Sequence, residues 1–202
     1  MSSPEDIIEA ATEVSRILKQ IGVSHAIIGG AAGNLLGSER STLDVDVLVS
    51  FPSIQVREAI LKHGTKFTGS KTDLKFAYTN DGGTFVPIEF LKDGNEAALS
   101  MPDLASTPIL TFEEIPLVHP SIIVCLKVGR WAWMSESARP RSRVKAKQDL
   151  HDILFLLKWL VENEEKISFE GMETNHREKY TAGFQKLSSQ YKLAAELLNN
   201  LL

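Results

Sequence analysis

Three acidic side chains of this sequence, Asp44, Asp46 and Glu89, have the types and spacing of metal ligands. Asp44 and Asp46 fall in a segment that alternates strictly from residue to residue, which is the pattern of a β-strand. Side chains two residues apart on a strand project from the same face, roughly 6–7 Å apart. Two carboxylates at that distance repel each other unless a cation lies between them. A pair of divalent ions that assists in-line phosphoryl displacement would meet this need, and a solvent-exposed acidic strand end is the alternative.

Glu89 lies in a second strand-like segment, where Ile88 and Phe90 take one face and Glu89 takes the other. A glutamate on a half-buried strand is costly unless it is paired or binds a metal ion. The sequence therefore leaves two interpretations of Glu89. It is a third metal ligand, or it pairs with a lysine such as Lys75 on a neighbouring strand.

Two adjacent glycines, Gly29 and Gly30, follow an apolar strand and precede a segment of small residues with the pattern of a short helix. Because glycine has no Cβ atom, the backbone can approach a phosphate closely and direct N–H groups at it. The residues between these glycines and Asp44 include donors suited to triphosphate oxygens, namely Ser38, Arg40, Ser41 and Thr42.

A basic segment lies in the second half of the chain. It holds one acid, Glu136, and seven of the 22 basic residues, which are Lys127, Arg130, Arg139, Arg141, Arg143, Lys145 and Lys147. Because the rest of the chain is strongly acidic, a local positive surface of this kind suits a phosphate-bearing ligand. A solvated, flexible basic loop is the other interpretation.

Lys127 is the one cation in the apolar run 122–128, so it either reaches a phosphate or extends its stem to solvent. Asp149 and Asp152 share a helix face at a spacing of three residues, and they either hold Lys127 or the basic segment in position or form a surface ion pair. Trp131 and Trp133 are interpreted as core or interface packing rather than as a platform for a base.

The secondary-structure elements that position these residues are of two kinds. Strands alternate with helices in the first part of the chain, and helices alone follow in the second part. We expect helices over about 4–21, 31–36 and 54–63 and strands over 25–28, 44–50, 74–79 and 85–91, then helices over 121–134, 145–161 and 176–201. Residues 92–118 are expected to be loop because they contain three prolines, and residues 135–143 are expected to be a mobile connector. This order predicts an α+β fold, with a mixed β-sheet and flanking helices over 1–118 and a helical lobe over 119–202.

Gly29-Gly30, thirteen further residues, Asp44-Val45-Asp46 and a later acid, Glu89, together resemble the signature of the nucleotidyltransferase superfamily that includes DNA polymerase β. The resemblance implies that the glycine turn binds a nucleoside triphosphate and that the three carboxylates bind two Mg²⁺ ions, or Mn²⁺. Within the superfamily, the run Arg40-x-Thr42-x-Asp44-x-Asp46 resembles the minimal nucleotidyltransferases and abortive-infection type II toxins. That branch typically has Gly-Gly where polymerases have Gly-Ser.

The same branch carries a lysine and a basic-Asp-x-x-Asp cluster in later helices. Here Lys127 and the run from Lys147 through Asp149 to Asp152 are similar, although the inserted Gln148 departs from the usual adjacent Lys-Asp. The resemblance implies that Lys127, Lys147 and Asp149 contribute to nucleotide binding. It also implies that the helical domain closes the nucleotide cleft of the catalytic domain.

The activity that the resemblance implies is a magnesium-dependent transfer of a nucleoside monophosphate to an acceptor hydroxyl, with release of pyrophosphate. Asp44, Asp46 and Glu89 would be catalytic, and the acceptor stays open between tRNA or other RNA, a small molecule and a protein. One alternative is a catalytically silent nucleotide-binding or antitoxin-like protein of the same fold. Another is an interaction module whose tryptophan pair and C-terminal leucines form a dimer seam, the leucines being Leu193, Leu197, Leu198 and Leu201.

The overall composition is that of an ordinary globular protein, with 43% hydrophobic and 24% charged residues. No apolar run approaches the roughly 18–20 residues that span a bilayer, so no membrane partner is expected. The single cysteine, Cys125, and the acidic, signal-free N-terminal segment favour a cytoplasmic protein, either a monomer or a weak homodimer. The histidines lack zinc-ligand spacing, and no P-loop is present.

Overall fold

The structure is a computed structural model that describes residues 2–69, 76–94, 101–172 and 174–201. In it the chain divides into two compact units, Met1–Val118 and His119–Leu202. Leu74 and Lys75, where a strand and a partner for Glu89 are expected, lie outside the described residues. No helix in the described part of the chain is both long and apolar enough to cross a lipid bilayer.

The first helix, α1 (Pro4–Gln20), begins at the residues that the sequence predicts. The backbone N–H of Asp6 donates to the Ser3 hydroxyl oxygen at 3.2 Å, and the Ser3 N–H donates to the Asp6 carboxylate at 2.7 Å. This reciprocal capping satisfies two backbone donors that a helix start leaves without partners, and Pro4 needs none. The helix ends before Gly22, whose φ of 71° is readily available to glycine.

The N-terminal unit contains a mixed sheet of seven strands among the described residues. The strands are β1 (His25–Ile28), β2 (Val45–Val49), β3 (Phe67–Thr68), β4 (Ala77–Thr79), β5 (Phe85–Lys92), β6 (Ile109–Phe112) and β7 (Ile115–Val118), in the spatial order β3-β4-β5-β2-β1-β7-β6. Two more helices, α2 (Gly29–Leu35) and α3 (Ser53–His63), follow β1 and β2 along the chain. Strand β2 pairs antiparallel with β1 and parallel with β5, while β1 pairs parallel with β7. The α+β fold class is thereby confirmed.

The prediction of loop throughout residues 92–118 is wrong, because β6 and β7 form a hairpin within that range. The hairpin turns at Glu113 and Glu114, which have φ of 45° and 68°. Two-residue hairpin turns with positive φ usually contain asparagine or glycine, so this turn has no sequence signal. Pro116 lies inside β7, where a proline argues against a strand.

The C-terminal unit is helical, as predicted. Its helices within the described residues are α4 (Pro120–Met134), α5 (Pro140–Glu162), α6 (Thr174–Gln190) and α7 (Lys192–Leu198). The predicted mobile connector over 135–143 is wrong at its second half, because Pro140 is the first residue of α5. Proline suits that position, since the first helical N–H has no intrahelical acceptor. The single helix expected over 176–201 is two helices, separated at Tyr191, which has extended backbone.

The two candidate packing tryptophans of α4 differ in burial. Trp131 is buried and its ring contacts that of Tyr191 edge-on at 6.0 Å, whereas Trp133 is 67% exposed. Of the four leucines proposed for a dimer seam, Leu198 and Leu201 are buried within the chain. A seam formed by all four leucines is therefore wrong, because two of them already pack inside their own chain.

His25, the first residue of β1, is buried against α1. Its Nδ1 lies 2.9 Å from the Val23 carbonyl oxygen, and its Nε2 lies 2.8 Å from the Ser15 hydroxyl. Because a carbonyl only accepts, Nδ1 carries the hydrogen and Nε2 accepts from Ser15. Burial lowers the pKa of His25, the Val23 carbonyl opposes that change, and nearby Lys19 adds a smaller lowering.

We expect the protein to lose stability as the pH falls below about 6.5, the ordinary value at which histidine takes up a proton. The folded protein resists this protonation and the unfolded chain does not, so the loss continues until the lowered folded-state pKa is reached. Urea denaturation between pH 8 and pH 5 measures the slope of the free energy of unfolding against pH. A His25→Asn protein, checked for folding at pH 8, should have a shallower slope than the wild type, and equal slopes would contradict the assignment.

Candidate active site

Asp46 and Glu89 lie side by side on the central strands of the sheet. The parallel pairing of β2 with β5 places Asp46 opposite Glu89 in register, with Val45 opposite Ile88 and Val47 opposite Phe90. Neighbouring strands are about 4.8 Å apart, and residues in register share a face, so the two carboxylates occupy one face of the sheet. Burial alternates along β5 as predicted, with Ile88 and Phe90 buried and Glu89 exposed.

The exposure of Glu89 changes the argument made for it from the sequence. An exposed carboxylate has no burial cost to offset, so burial does not require a partner for it. Among the described residues Glu89 forms no hydrogen bond or ion pair. It is therefore available to a ligand from solvent.

Asp44 is held outside the strand. The strand expected over 44–50 begins at Val45, and Asp44 lies in the bend before it, partly buried. The Thr42 hydroxyl donates to Asp44 Oδ1 at 3.3 Å. The position of Asp44 is thus set by its own loop, in addition to its spacing from Asp46.

The two glycines form the start of α2 rather than a turn ahead of it. Gly29 has a φ of 76°, and a Cβ atom there would lie 2.2 Å from Asp46 Oδ2. Since real Cβ atoms do not come that close to an oxygen, only glycine fits beside this carboxylate in this conformation. Gly29 and Asp46, which are seventeen positions apart in sequence, are therefore in direct contact.

Gly30 contacts the loop that carries the predicted phosphate donors. A Cβ atom at Gly30 would lie 2.5 Å from Thr42 Oγ1 and 2.9 Å from an Arg40 guanidinium nitrogen. The Arg40 guanidinium also donates to the Ser41 carbonyl oxygen at 2.9 Å, and Ser41 itself is exposed. Arg40 and Thr42 thus lie against the first turn of α2, next to Asp44.

Asn34 positions this loop and was not singled out in the sequence. Its buried side-chain amide donates to the carbonyl oxygens of Ser38 and Arg40, at 2.7 and 2.8 Å. A polar side chain buried in a helix of small residues needs such partners. The signal that could have revealed it is the asparagine itself, the one polar side chain between Gly29 and Leu36.

The donor atoms of this site suit a hard divalent cation. Carboxylate and hydroxyl oxygens are the ligands that Mg²⁺ prefers, and here Asp44, Asp46 and Glu89 supply carboxylates. In the described ranges, no three acidic, histidine or cysteine side chains stand close enough together to hold an ion as they are oriented. Glu89 has an exposed, unbonded side chain that can change rotamer, so the residue types fit a metal ion while their present orientations do not complete its shell.

The three candidates from the helical unit separate into two environments. Lys127 is buried, and its Nζ lies 2.6 Å from Asp152 Oδ2 and 3.8 Å from Asp149 Oδ1. Arg130 donates through its Nε to Asp149 Oδ2 at 2.7 Å. Of the interpretations offered for the two aspartates, the structure therefore supports the one in which they hold Lys127. Lys147 is exposed on α5 and takes no part in this cluster.

Burial sets the electrostatics of the Lys127 cluster. It lowers the pKa of Lys127, while the carboxylates of Asp152 and Asp149 act in the opposite direction. A lysine in this position is stable as a cation only while its carboxylate partners are ionised. The same burial raises the pKa of the Cys125 thiol on α4, which makes that thiol a poor nucleophile.

The close contacts at Gly30 lead to a prediction on stability. Gly30→Ala should destabilise the protein by about 1–3 kcal/mol, because the new methyl group would overlap Thr42 and Arg40. Gly33→Ala, in the same helix, is the matched control. Its methyl group would lie no nearer than 3.7 Å to Ser38, so it should be neutral or stabilising by up to about 1 kcal/mol. Equal effects of the two substitutions in urea denaturation would argue against the packing described.

The Lys127 cluster predicts a second difference in stability. Asp152→Asn should destabilise the protein by about 3–5 kcal/mol, because it leaves a buried cation without its nearest counter-charge. Glu162→Gln is the control on the same helix, since its pair with Lys158 is exposed and worth less than about 1 kcal/mol. If Asp152→Asn costs no more than Glu162→Gln, Lys127 is not held as described.

Comparisons with known proteins place the fold. A scan against protein-family models and a search of curated proteins found no match. Among solved structures, an antigenic nucleotidyltransferase-like protein from Paracoccidioides brasiliensis is similar over 99% of this chain and 95% of its own, with a TM-score of 0.74 and 18% identity. The antibiotic-resistance factor ANT(2'')-Ia matches 95% of this chain and 89% of its own, with 13% identity and a TM-score of 0.43 that is too low to indicate a common fold. The similarity to the Paracoccidioides protein confirms that this chain has a nucleotidyltransferase-type fold.

Proposed function

We propose that this protein is a divalent-metal-dependent nucleotidyltransferase, which transfers a nucleoside monophosphate from a nucleoside triphosphate to an acceptor hydroxyl. One observation carries the proposal. Asp46 and Glu89 lie in register on adjacent parallel strands, and the backbone of Gly29 lies directly against the Asp46 carboxylate. The site thus combines two acids on one face with a close approach of backbone, which is what binding and positioning of a metal-bound phosphate require.

The triphosphate is bound by the start of α2 and the loop that contacts it. Arg40 supplies a charged, multidentate donor for phosphate oxygens, and Thr42 and Ser41 supply hydroxyl groups. Gly30 leaves the space that a side chain would take from these donors. Asn34 holds the loop through two backbone carbonyls, so the donors keep their places before nucleotide binds.

Asp44, Asp46 and Glu89 are the residues that would hold the metal ion. When bound, Mg²⁺ or Mn²⁺ would offset charge on the triphosphate and lower the pKa of the acceptor hydroxyl. The acids in turn owe their positions to the protein backbone, Asp46 and Glu89 through the β2–β5 ladder and Asp44 through Thr42. The backbone positions of the three acids are therefore set before substrate arrives, and the Glu89 side chain is free to turn toward the ion.

The transfer exchanges one phosphorus–oxygen bond for another. The acceptor oxygen forms a bond to the α-phosphorus while the bond from that phosphorus to the oxygen bridging to the β-phosphate breaks, and the electron pair leaves with pyrophosphate. Glu89 takes the proton of the acceptor hydroxyl, since it is the exposed acid of the set and has no partner among the described residues. Arg40 stabilises the charge on the departing phosphates.

Substitution of single acids tests this mechanism. Asp46→Asn should reduce transfer to background, and Glu89→Gln should reduce it by about 10²–10⁴-fold, the usual contribution of a general base. The assay incubates purified protein with each α-labelled nucleoside triphosphate, Mg²⁺ and a cell extract, and then measures label in protein, RNA and small molecules. Asp81→Asn and Glu58→Gln, at exposed positions of the same unit, are the matched controls and should transfer normally.

Titration calorimetry with each nucleotide, with and without Mg²⁺, separates binding from catalysis. Transfer at the wild-type rate by folded Asp46→Asn protein would reject the mechanism. Tight nucleotide binding by a wild-type protein that labels nothing would instead support the alternative, a catalytically silent protein of the same fold.

A further inference from the structure

The first turns of α5 present a basic face that the proposed chemistry does not use. We define the basic face as Arg139, Arg141, Arg143, Lys145 and Lys147, all of which are exposed. Arg139 is the residue before the helix, and the other four lie on its first eight residues. Between Pro140 and Gln148, Ala146 is the one buried side chain. These turns therefore direct cations at solvent rather than at the core.

The counter-charges nearest to the basic face in sequence are already engaged elsewhere. Glu136 accepts a hydrogen bond from Lys186 at 2.7 Å. Asp149 accepts from Arg130 at 2.7 Å and lies 3.8 Å from Lys127. Over the part of the chain that the structure describes, none of the five cations of the basic face forms an ion pair with an acidic side chain. No described acidic side chain neutralises their charge.

This arrangement opposes the stability of its own helix. Arg141 and Lys145 are four residues apart, as are Arg143 and Lys147, and like charges at that spacing on a helix repel each other. Arg141 and Arg143 also lie in the first turn of α5, where the helix dipole favours acidic side chains and disfavours basic ones. Residue types that destabilise their own helix in this way are characteristic of functional surfaces. Bound anions would remove both penalties.

The distribution of charge along the chain makes this region distinct. The first 118 residues hold 9 basic and 16 acidic side chains, whereas residues 119–202 hold 13 basic and 10 acidic. A polyanion is therefore repelled by most of the N-terminal unit and attracted to the basic face. This contrast in charge favours binding of a polyanion at the basic face over nonspecific binding across the whole protein surface.

An exposed aromatic side chain adds a second kind of contact. Trp133 is 67% exposed and lies in the last turn of α4, six residues before Arg139 in the connection to α5. Proteins bind unpaired bases together with their phosphates by combining exposed aromatic rings with cations, and this segment of the chain supplies both. A phospholipid headgroup or an inorganic anion offers no ring to stack on it.

We propose that the basic face and Trp133 form a binding surface for single-stranded RNA. The cations bind successive phosphates, and Trp133 stacks on an unpaired base. In single-stranded RNA the bases are free to stack on protein side chains, which they are not in a duplex. This surface is independent of Asp46, so RNA binding does not depend on nucleotide transfer.

Fluorescence anisotropy with a labelled single-stranded RNA of about 15 nucleotides tests the proposal over a range of salt concentrations. Wild-type protein should bind with a slope of log K against log salt near −3, because each neutralised phosphate of a single strand contributes about −0.7. The variant Arg141→Gln/Arg143→Gln/Lys145→Gln/Lys147→Gln should lose most of both the affinity and the slope. It should also be at least as stable as the wild type to heat, since its like-charge pairs are gone.

The matched control removes two arginines and two lysines elsewhere. The variant Arg16→Gln/Arg177→Gln/Lys158→Gln/Lys192→Gln, at exposed positions, should keep the wild-type slope and affinity within about two-fold, because none of these residues belongs to the basic face. Trp133→Ala should weaken binding by roughly ten-fold at constant slope, as expected for one lost base stack. Asp46→Asn should bind RNA like the wild type, which separates this proposal from the proposed enzymatic function.

Four results would overturn the proposal. The first is RNA binding by the four-site α5 variant that matches the control variant. The second is equal binding of RNA and inorganic polyphosphate together with no effect of Trp133→Ala, which would indicate a site for polyanions in general. The third is sedimentation with vesicles of phosphatidylcholine and phosphatidylserine in the absence of RNA binding, which would indicate a membrane surface. Tighter binding to duplex than to single-stranded RNA would also contradict it.

Discussion

The parallel pairing of β2 with β5 is the constraint on which the candidate site depends. It sets Asp46 beside Glu89, and two carboxylates on one face repel each other unless a cation joins them. The backbone ladder holds the two residues side by side in spite of that repulsion. A divalent ion would relieve this repulsion, and the strand pairing sets the two residues in place before such an ion binds.

The loop before β2 depends on the same geometry. Gly29 can lie against Asp46 only because it lacks a Cβ atom, and Gly30 gives the same clearance to Thr42 and Arg40. Asn34 then joins the start of α2 to the loop through two carbonyl oxygens. Backbone proximity, charge and hydrogen-bond donors are brought to one place by a short helix and the strands on either side of it. In the helical unit, the Asp152 carboxylate offsets the charge of Lys127, which is buried in apolar packing.

Local patterns in the sequence predicted the parts of this fold that are decided locally. The capping residues of α1, the apolar run of β1 and the alternation of β5 each act over a few residues, and each was predicted. The hairpin at Glu113 was missed because its turn residues lack the usual chemistry, and Pro140 lies in the segment expected to be a connector although it begins a helix. The register of Asp46 with Glu89 could only be hypothesised, because pairing between distant segments is fixed by tertiary packing.

The strands at the two ends of the described sheet have a consequence for behaviour in concentrated solution. β3 contains two residues and β6 contains four, with Pro108 immediately before β6 and an acidic pair immediately after it. An unpaired strand edge is a template on which a second molecule can add its own strand, and the risk grows with the length of the edge. Edge strands this short offer few unpaired backbone groups to which a neighbouring molecule could add a strand. The proline and the two acidic residues beside β6 oppose such pairing further. The sheet is thereby protected against growing into fibrils.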